Sequence, residues 1–200
     1  SGGRAVAVHC DVTSEPAVDA AMRMTTEQFG QVDAIFANAG VGSRGTPFVD
    51  IEKAEWDLVV SVNLSGAFLT LREGVRQMVK QGSGGSLVVT SSIAARFGLP
   101  GGEHYAATKA ALHALVRGIA VEHGRDGIRA NGVMPGWVST EMTEEAFTDD
   151  GFQRAVLSRH PIRRWGDVAD FAGIAVYLAS DESRWHTGDV IRIDGGYSVR

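Results

Sequence analysis

The sequence predicts an α/β fold, in which a doubly wound parallel sheet is covered by helices on both faces. Five short apolar segments alternate with longer segments of helical pattern, which is typical of strand–helix–strand units in a parallel sheet. Glycine supplies 25 of the 200 residues and clusters where these segments end, which favours tight turns between them. The length fits one domain, and we expect residues 1–200 to form it.

The first part of the chain is predicted to contain two strands around one helix. Arg4–His9 is a short apolar run that is typical of a buried strand. Ser14 is a good N-cap for the helix that follows, because Pro16 falls in its first turn and Gly30 can end it. Asp33–Ala37 is the second predicted strand.

A long helical segment occupies the middle of the chain. It runs from about Glu52 to Lys80, with a break expected near Trp56. The sequence Gly-Ser-Gly-Gly at positions 82–85 ends this helix, because glycine and serine interrupt helical patterns. Ser86–Thr90 is the third predicted strand.

The second half of the chain repeats the alternation of helices and strands. Glu103–His123 and Asp167–Ala179 have helical patterns, whereas Trp137–Ile162 is predicted to be a mixture of loop and short helix. Ile128–Val133 and Val190–Asp194 are the last two predicted strands, and glycine-containing turns close both of them.

Composition and charge exclude several classes of protein. The formal net charge of −5 disfavours a nucleic-acid partner, because phosphate-binding proteins normally carry a basic face. The single cysteine, Cys10, excludes an internal disulfide and a cysteine-rich zinc site. No apolar run approaches the roughly 20 residues that span a bilayer, and no secretion signal is seen at the start. We therefore expect a cytoplasmic protein with no membrane partner.

The segment around the third strand and the next helix suggests chemistry. Tyr105 and Lys109 are four residues apart, so on a helix they share one face. A neighbouring ammonium lowers the pKa of a tyrosine from its ordinary value of about 10, which lets the phenol exchange a proton with an alcohol or carbonyl. Ser92 follows the carboxyl end of a strand, where open α/β sheets place their active sites, and its hydroxyl could hold a substrate oxygen.

A purely structural interpretation of the same residues stays open at this point. Tyr105 and Lys109 could be an exposed helix pair, and Ser92 a loop residue. His104 could line the entrance of a pocket or be a solvated loop residue. The histidines are scattered along the chain and indicate no metal site.

Six short motifs accompany this constellation. In chain order they are Asp11-Val12, Asn38-Ala39-Gly40, Val62-Asn63, the segment Pro135-Gly136-Trp137-Val138-Ser139-Thr140, Thr187-Gly188 and Asp194-Gly195-Gly196. Together with the serine, tyrosine and lysine, they resemble the short-chain dehydrogenase/reductase family from Arg4 to Gly196. The resemblance implies a Rossmann-like fold and an NAD(P)-dependent oxidoreductase that transfers a hydride between a nicotinamide and a secondary alcohol or ketone.

The resemblance also implies four catalytic residues. Tyr105 would be the general acid and base. Lys109 would lower the pKa of this tyrosine and hold the nicotinamide ribose. Ser92 would orient the substrate oxygen, and Asn63 would anchor a water in a proton relay.

A further set of residues is implied to bind the cofactor. Its members are Asp11, Val12, Asn38, Ala39, Gly40, Tyr105, Lys109, Pro135, Gly136, Val138 and Thr140. Asp11 and Val12 would contact the adenine, and the segment from Pro135 to Thr140 would embrace the nicotinamide. As structural alternatives, Asp11 could cap the next helix, Asn38 could join neighbouring strands, and Pro135-Gly136 could be a plain turn.

One part of the family pattern is absent from the sequence, namely the glycine-rich turn that holds the cofactor pyrophosphate. We expect the first two strand–helix units, roughly 50 residues, to be missing and the native protein to be longer. Arg4–His9 would then lack a hydrogen-bonding neighbour and the edge of Asp33–Ala37 would be exposed, so the chain should be unstable alone. The residues that distinguish NAD from NADP are also absent, and our expectation leans to NAD.

The resemblance implies a small alcohol or ketone as the substrate, and the predicted wall of its pocket is mainly apolar. The wall residues are Phe97, Leu99, Trp137, Met142, Phe147 and Phe152. They suit cyclic alcohols, steroids, acyl thioesters or sugars with an apolar face, and 3-oxoacyl-carrier-protein reduction is the alternative activity. A nucleotide-sensing protein and an inert truncated interaction module are the alternatives without turnover. We expect a homotetramer or a homodimer.

Overall fold

The computed structural model of the chain describes residues 2–144 and 148–199. Within these residues one parallel sheet has the strand order β1-β2-β3-β4. Its strands are β1 (Ala34–Ala37), β2 (Gly85–Thr90), β3 (Ile128–Pro135) and β4 (Val190–Ile193). The predicted parallel α/β architecture is confirmed.

The helices of the described residues agree with the predicted order. They are α1 (Glu15–Phe29), α2 (Lys53–Val60), α3 (Ala67–Gln81), α4 (Glu103–His123), α5 (Asp150–Arg159) and α6 (Ala172–Ala179). The break in the long middle helix lies at Ser61–Gly66, where a π-helical turn joins α2 to α3, and not near Trp56 as predicted. Trp56 lies inside α2, because its side chain is exposed and leaves the helical backbone hydrogen bonds intact.

Helices cover both faces of the sheet because neighbouring residues of β2 point in opposite directions. Leu87 and Val89 are buried on one face, in a cluster that includes apolar side chains of α3 and α4. Val88 is buried on the other face with Leu178 of α6. Each such side chain contributes about 1.5–3 kcal/mol when it leaves water, so both faces stabilise the sheet.

The prediction of a strand at Arg4–His9 is wrong for this structure. The segment is exposed, and none of the described residues pairs with its backbone as a strand. A strand needs a neighbour to accept its hydrogen bonds, and an apolar pattern alone does not provide one. The expected exposure of the Asp33–Ala37 edge is confirmed, since among the described residues β1 is the first strand of the sheet and pairs with β2 alone.

The long helical segment Lys53–Gln81 passes a test of length and apolar composition for a membrane span. Its side chains Leu71 and Met78 are instead buried against the sheet in the core. The segment is therefore a core helix in this structure, which is the usual reason why a helix of a globular domain passes such a test.

Candidate active site

The carboxyl end of β2 meets one face of α4, and this contact builds the candidate site. Lys109 of α4 is only 5% exposed, and its Nζ donates a hydrogen bond of 2.7 Å to the main-chain oxygen of Thr90. Burial disfavours the charged amine, and it lowers the pKa of Lys109 from its ordinary 10.5 to about 8. The site thus holds an amine that can change its charge near neutral pH.

Tyr105 lies one helical turn before Lys109 and faces Ser92. Burial raises the pKa of Tyr105, and a hydrogen bond with the Ser92 hydroxyl opposes that rise. The Lys109 Nζ lies over the tyrosine ring, 5.7 Å from its centroid. The pKa of Tyr105 is therefore raised, whereas the neighbouring ammonium alone was predicted to lower it, because burial removes water from the phenol. A phenol in this state is protonated and can donate a proton to a carbonyl oxygen.

Asn63 lies in the π-helical turn between α2 and α3, and its side chain is fully buried. Its Oδ1 accepts a hydrogen bond of 2.7 Å from the main-chain nitrogen of Val41, and its Nδ2 donates to the oxygen of the same residue at 2.9 Å. The side-chain amide therefore clamps the loop after β1 to the helix. Helical irregularities of this type are frequent at functional sites.

Gly40 brings this loop against the site. A Cβ at this position would lie 3.2 Å from Oδ1 of Asn63 and 3.3 Å from Nζ of Lys109. Only the absence of a side chain lets the loop approach both groups so closely. Asn38 accepts a hydrogen bond of 2.7 Å from the Thr90 hydroxyl, so it does join β1 to β2 as the structural alternative proposed.

The four predicted catalytic residues are thus brought to one edge of the sheet. Ser92 follows β2, and Tyr105 and Lys109 share a face of α4. The side chains of Asn63 and Lys109 both lie beside Gly40. This is the carboxyl edge of a parallel sheet, where ligands of such folds bind.

Several predicted cofactor residues line a cleft beside this edge. The cleft has a volume of about 70 Å³, and its lining residues are Val12, Phe36, Ala37, Asn38, Ala39, Gly66, Ala67 and Thr70. A Cβ on Gly66 would lie 2.7 Å from Cγ2 of Val12, so the glycine allows Val12 to approach the helix. The apolar lining fits a flat aromatic group such as adenine.

Asp11 is exposed beside this cleft. Its Oδ1 accepts hydrogen bonds from the nitrogen and the hydroxyl of Thr13, at 2.9 and 2.8 Å, and both bonds lower the pKa of Asp11. Ser14, and not Asp11, caps α1, because its side chain accepts from the nitrogen of Ala17. Asp11 is therefore a fixed anion, which can accept a hydrogen bond from a ligand.

A second cavity, of about 290 Å³, lies after β3. It is lined by Ser139, Thr140, Glu141 and Glu144. The two hydroxyls can bond an amide, whereas the two carboxylates would repel a phosphate. The described residues here fit the carboxamide of the nicotinamide better than the pyrophosphate of the dinucleotide.

The segment that joins β3 to Ser139 packs tightly against the end of β4. A Cβ on Gly136 would lie 2.7 Å from Cα of Asp194, and the nitrogen of Gly136 donates to the oxygen of Ile193 at 2.9 Å. Pro135 ends β3, and Val138 forms an isolated parallel bridge with Gly166. Pro135 is thus the last residue of a paired strand, and Gly136 continues its bonding to β4 by one backbone hydrogen bond, so the pair is not a plain turn.

Two of the predicted wall residues form an aromatic cluster. Trp137 meets Phe152 edge to face at 5.0 Å between ring centroids, and it meets Trp165 at 5.8 Å. Met142 lies against Gly42, with its Cγ 3.2 Å from the position of a Cβ there. Phe147 lies outside the described residues.

His104 differs from both expectations. It is a fully buried residue of α4, and its Nε2 lies 3.3 Å from Oε1 of Glu55 on α2. It neither lines a pocket entrance nor faces solvent, because α2 packs across the start of α4.

Sequence analysis also missed two residues next to the site. Ser91 Oγ lies 2.6 Å from Nε2 of His113, although only its neighbour Ser92 was singled out. The available signal was spacing, since His113 follows Lys109 by four residues, as Lys109 follows Tyr105.

Comparison with known proteins agrees with this geometry. A family model described as enoyl-(acyl carrier protein) reductase matches residues 1–198. The chain is 38% identical over 201 residues to an L-rhamnose 1-dehydrogenase (NAD(P)(+)) of Sphingomonas sp. (strain SKA58), a match that covers 99% of this chain and 78% of that protein. It is 34% identical over 189 residues to a gluconate 5-dehydrogenase of Gluconobacter oxydans (strain 621H), covering 94% of this chain and 73% of that protein.

Solved structures give the same result. A short-chain type dehydrogenase/reductase from Mycobacterium marinum superposes with a TM-score of 0.93 at 33% identity, covering 100% of this chain and 78% of that one. A gluconate 5-dehydrogenase from Burkholderia cenocepacia J2315, in complex with NADP and tartrate, has a TM-score of 0.90 at 32% identity, covering 95% of this chain and 74% of that one.

Proposed function

The chain belongs to the short-chain dehydrogenase/reductase family, and from this premise we propose which residues carry out its reaction. The chain is an NAD(P)-dependent oxidoreductase that interconverts a secondary alcohol and a ketone by a Ser-Tyr-Lys mechanism. A bound nicotinamide supplies or accepts the hydride. The observation that carries the residue assignment is the meeting of Ser92, Tyr105 and Lys109 at the carboxyl edge of β2.

We assign the proton transfer to Tyr105. In the reducing direction its hydroxyl donates a proton to the carbonyl oxygen as that oxygen gains negative charge, and in the oxidising direction its phenolate takes the alcohol proton. The Ser92 hydroxyl, which is close enough to Tyr105 to lower its pKa, donates a second hydrogen bond to the same substrate oxygen. Holding the oxygen between two hydroxyls stabilises the charge that develops on it.

Lys109 and Asn63 act around this pair. The ammonium form of Lys109 stabilises the phenolate of Tyr105 electrostatically, and its Nζ can bond the ribose hydroxyls of the cofactor. Asn63 holds the loop at Gly40 against the lysine. Its anchoring of a relay water is part of the same proposal.

The cofactor is proposed to lie along the carboxyl edge of the sheet. Adenine occupies the cleft beside Val12, with Asp11 at its rim, and Asn38, Ala39 and Gly40 border the nucleotide. The nicotinamide lies by Pro135, Gly136 and Val138, and its carboxamide bonds Thr140. Relatives use NAD(P), and we propose a preference for NAD.

The substrate is proposed to be a sugar or a sugar acid. Named relatives act on L-rhamnose, gluconate and 5-keto-D-gluconate. The aromatic cluster of Trp137 and Phe152 supports the proposal, because the apolar face of a sugar ring packs well on aromatic side chains. A second candidate is a 3-oxoacyl thioester, which the description of the matching family model favours.

A substrate panel tests the proposed function. The intact protein is assayed at 340 nm with L-rhamnose, D-gluconate, 5-keto-D-gluconate and a 3-oxoacyl thioester, each with NAD(H) and NADP(H). Turnover of a sugar substrate that Tyr105→Phe abolishes supports the proposal. Turnover of the thioester alone would assign the second candidate, and turnover unchanged in Tyr105→Phe would reject the assignment of the catalytic residues.

Two further proposals concern the protein as a whole. A homotetramer or homodimer is supported by exposed apolar side chains on the long helices, including Leu58 and Phe68, and by the small residues Ala107 and Ala110 on the surface of α4. Light scattering would measure the assembly. A cytoplasmic location is supported by the single cysteine, Cys10.

A further inference from the structure

We propose that Ser91 and His113 act as a positioning pair, which holds the reacting side chains of β2 and α4 in register. The inference rests on the function proposed above. The Ser91 hydroxyl lies 2.6 Å from Nε2 of His113 and 3.1 Å from the main-chain oxygen of Lys109. Neither Ser91 nor His113 faces the substrate oxygen in the proposed mechanism, so the pair acts through its neighbours.

The hydrogen-bond directions in this pair follow from the groups present. The main-chain oxygen of Lys109 can only accept, so the single Ser91 proton is donated to it. The bond to His113 must then be donated by the imidazole, which places a proton on Nε2. Burial and the nearby charges of Arg117 and Arg96 lower the pKa of His113, which favours this neutral form at neutral pH.

Ser91 is fixed from two directions. Its main-chain nitrogen donates to the oxygen of Val133 in β3 at 2.8 Å, and its side chain bonds α4. The residue is only 2% exposed. Ser91 therefore connects the carboxyl ends of β2 and β3 to α4 at Lys109.

Three consecutive residues of the chain face three successive turns of α4. The Thr90 oxygen accepts from the Lys109 side chain, Ser91 bonds His113, and Ser92 lies close enough to Tyr105 to lower its pKa. The three helix residues are spaced by four, so they lie along one face of α4. The Ser91–His113 contact is the one of the three that involves no proposed catalytic side chain.

This arrangement controls the distance between Tyr105 and Ser92, on which the proposed proton transfer depends. Catalytic groups must be held within about 0.5 Å of their working positions, and a 1 Å misplacement can cost roughly 100-fold in rate. Without the pair, α4 can shift along its axis relative to β2, which moves Tyr105 away from Ser92. The backbone hydrogen bonds of α4 stay, so the fold is retained while the alignment is lost.

Ser86 of β2 provides a control close to Ser91, which directly follows this strand. Its buried hydroxyl donates to the main-chain oxygen of Leu178 at 2.6 Å, on the opposite face of the sheet. Ser86→Ala and Ser91→Ala each remove a buried bond to a helix carbonyl, and Ser91→Ala also removes the bond to His113. Only the second variant removes a bond beside the proposed site.

The experiment compares Ser91→Ala, Ser86→Ala, His113→Leu and His113→Gln in the intact protein, with kcat, KM and melting temperature measured for each. We expect Ser91→Ala and His113→Leu to lower kcat about tenfold, with the KM for the cofactor changed less than about twofold. Ser86→Ala should lower the melting temperature but keep kcat within about twofold. His113→Gln should restore most of kcat, because the glutamine amide can donate from nearly the position of Nε2.

The opposite results would overturn the proposal. They are an unchanged kcat in His113→Leu, equal loss of kcat in His113→Gln and His113→Leu, or equal loss in Ser86→Ala and Ser91→Ala. If Ser91→Ala does not fold, the two variants of the half-buried His113 decide the matter. A wild-type protein that is inactive on the whole panel would overturn the proposed function together with this inference, whereas an active wild type with an unaffected His113→Leu overturns this inference alone.

Discussion

The side-chain nitrogen of Lys109 is buried and lies 2.7 Å from the main-chain oxygen of Thr90. A single hydrogen bond to a neutral carbonyl replaces the water that the amine loses on folding. That replacement is incomplete, which explains why burial lowers the pKa of Lys109 to about 8. The protein thus keeps a group that is costly for stability at a position where the proposed reaction uses its charge.

Lys109→Met should therefore stabilise the fold while it removes activity. At pH 7 the native amine is charged and buried, and relieving this should raise the free energy of unfolding by up to about 3 kcal/mol. Turnover should fall at least 100-fold. Urea denaturation and kcat measure the two effects, and Lys80→Met, on the surface of α3, is the control that should change neither by much. A less stable Lys109→Met protein would contradict the argument.

The stability of the wild-type protein should depend on pH in a defined window. Because the native pKa of Lys109 is about 8 and the unfolded value is 10.5, the unfolded chain binds more protons between these pH values. The Lys109 contribution to the free energy of unfolding is unfavourable below pH 8 and becomes less so as the pH rises to 10.5. The difference in stability between Lys109→Met and wild type should shrink across this window, and a constant difference would exclude the shifted pKa.

Tyr105→Phe should lower kcat by roughly 10²–10⁴-fold, because it removes the proposed proton donor. Cofactor affinity, measured by fluorescence titration, should change little. Tyr177→Phe is a suitable control, since its hydroxyl bonds His186 on the far side of the sheet. Equal losses in the two variants would show a general effect of the missing hydroxyl and not a catalytic one.

Gly40→Ala should damage the site more than the fold. The added Cβ would lie 3.2 Å from the Asn63 side chain and 3.3 Å from the Lys109 amine, so both groups must move by a few tenths of an ångström. We expect kcat to fall about tenfold, with less than about 2 kcal/mol lost in stability. Gly118→Ala in α4, where nothing lies within 4 Å, should instead add about 0.5–1 kcal/mol and leave kcat unchanged.

Gly66→Ala should act on the cofactor and not on the chemical step. A Cβ there would lie 2.7 Å from Cγ2 of Val12, which would push this side chain into the proposed adenine cleft. The KM for the cofactor should rise about three- to tenfold while kcat changes little. An unchanged KM would place the adenine elsewhere.

Local sequence signals predicted the helices and the central strands well. Ser14, Pro16 and Gly30 mark the ends of α1 because capping depends only on neighbouring residues. The four-residue spacing of Tyr105 and Lys109 likewise fixes their shared face once the helix exists. Their convergence with Ser92 could be predicted because strands of a parallel sheet end at one edge.

Other features depended on partners that are distant in the sequence. Arg4–His9 has the pattern of a strand, yet a strand forms only beside a second backbone, and none of the described residues supplies one. His104 was predicted to lie at a pocket entrance or in a solvated loop, whereas the packing of α2 buries it beside Glu55. The long helix breaks at the π-helical turn Ser61–Gly66, where Asn63 bonds Val41, a residue distant in the sequence.

The sequence by itself therefore determined the α/β class, the helix ends and the identity of the proposed reacting groups, because caps, periodicity and short motifs act over a few residues. Only the tertiary structure decided the pKa directions of Tyr105 and Lys109 and the contact between Ser91 and His113. Burial sets the first and the packing of α4 on β2 sets the second. Both arise when segments that are distant in the chain exclude water from one another.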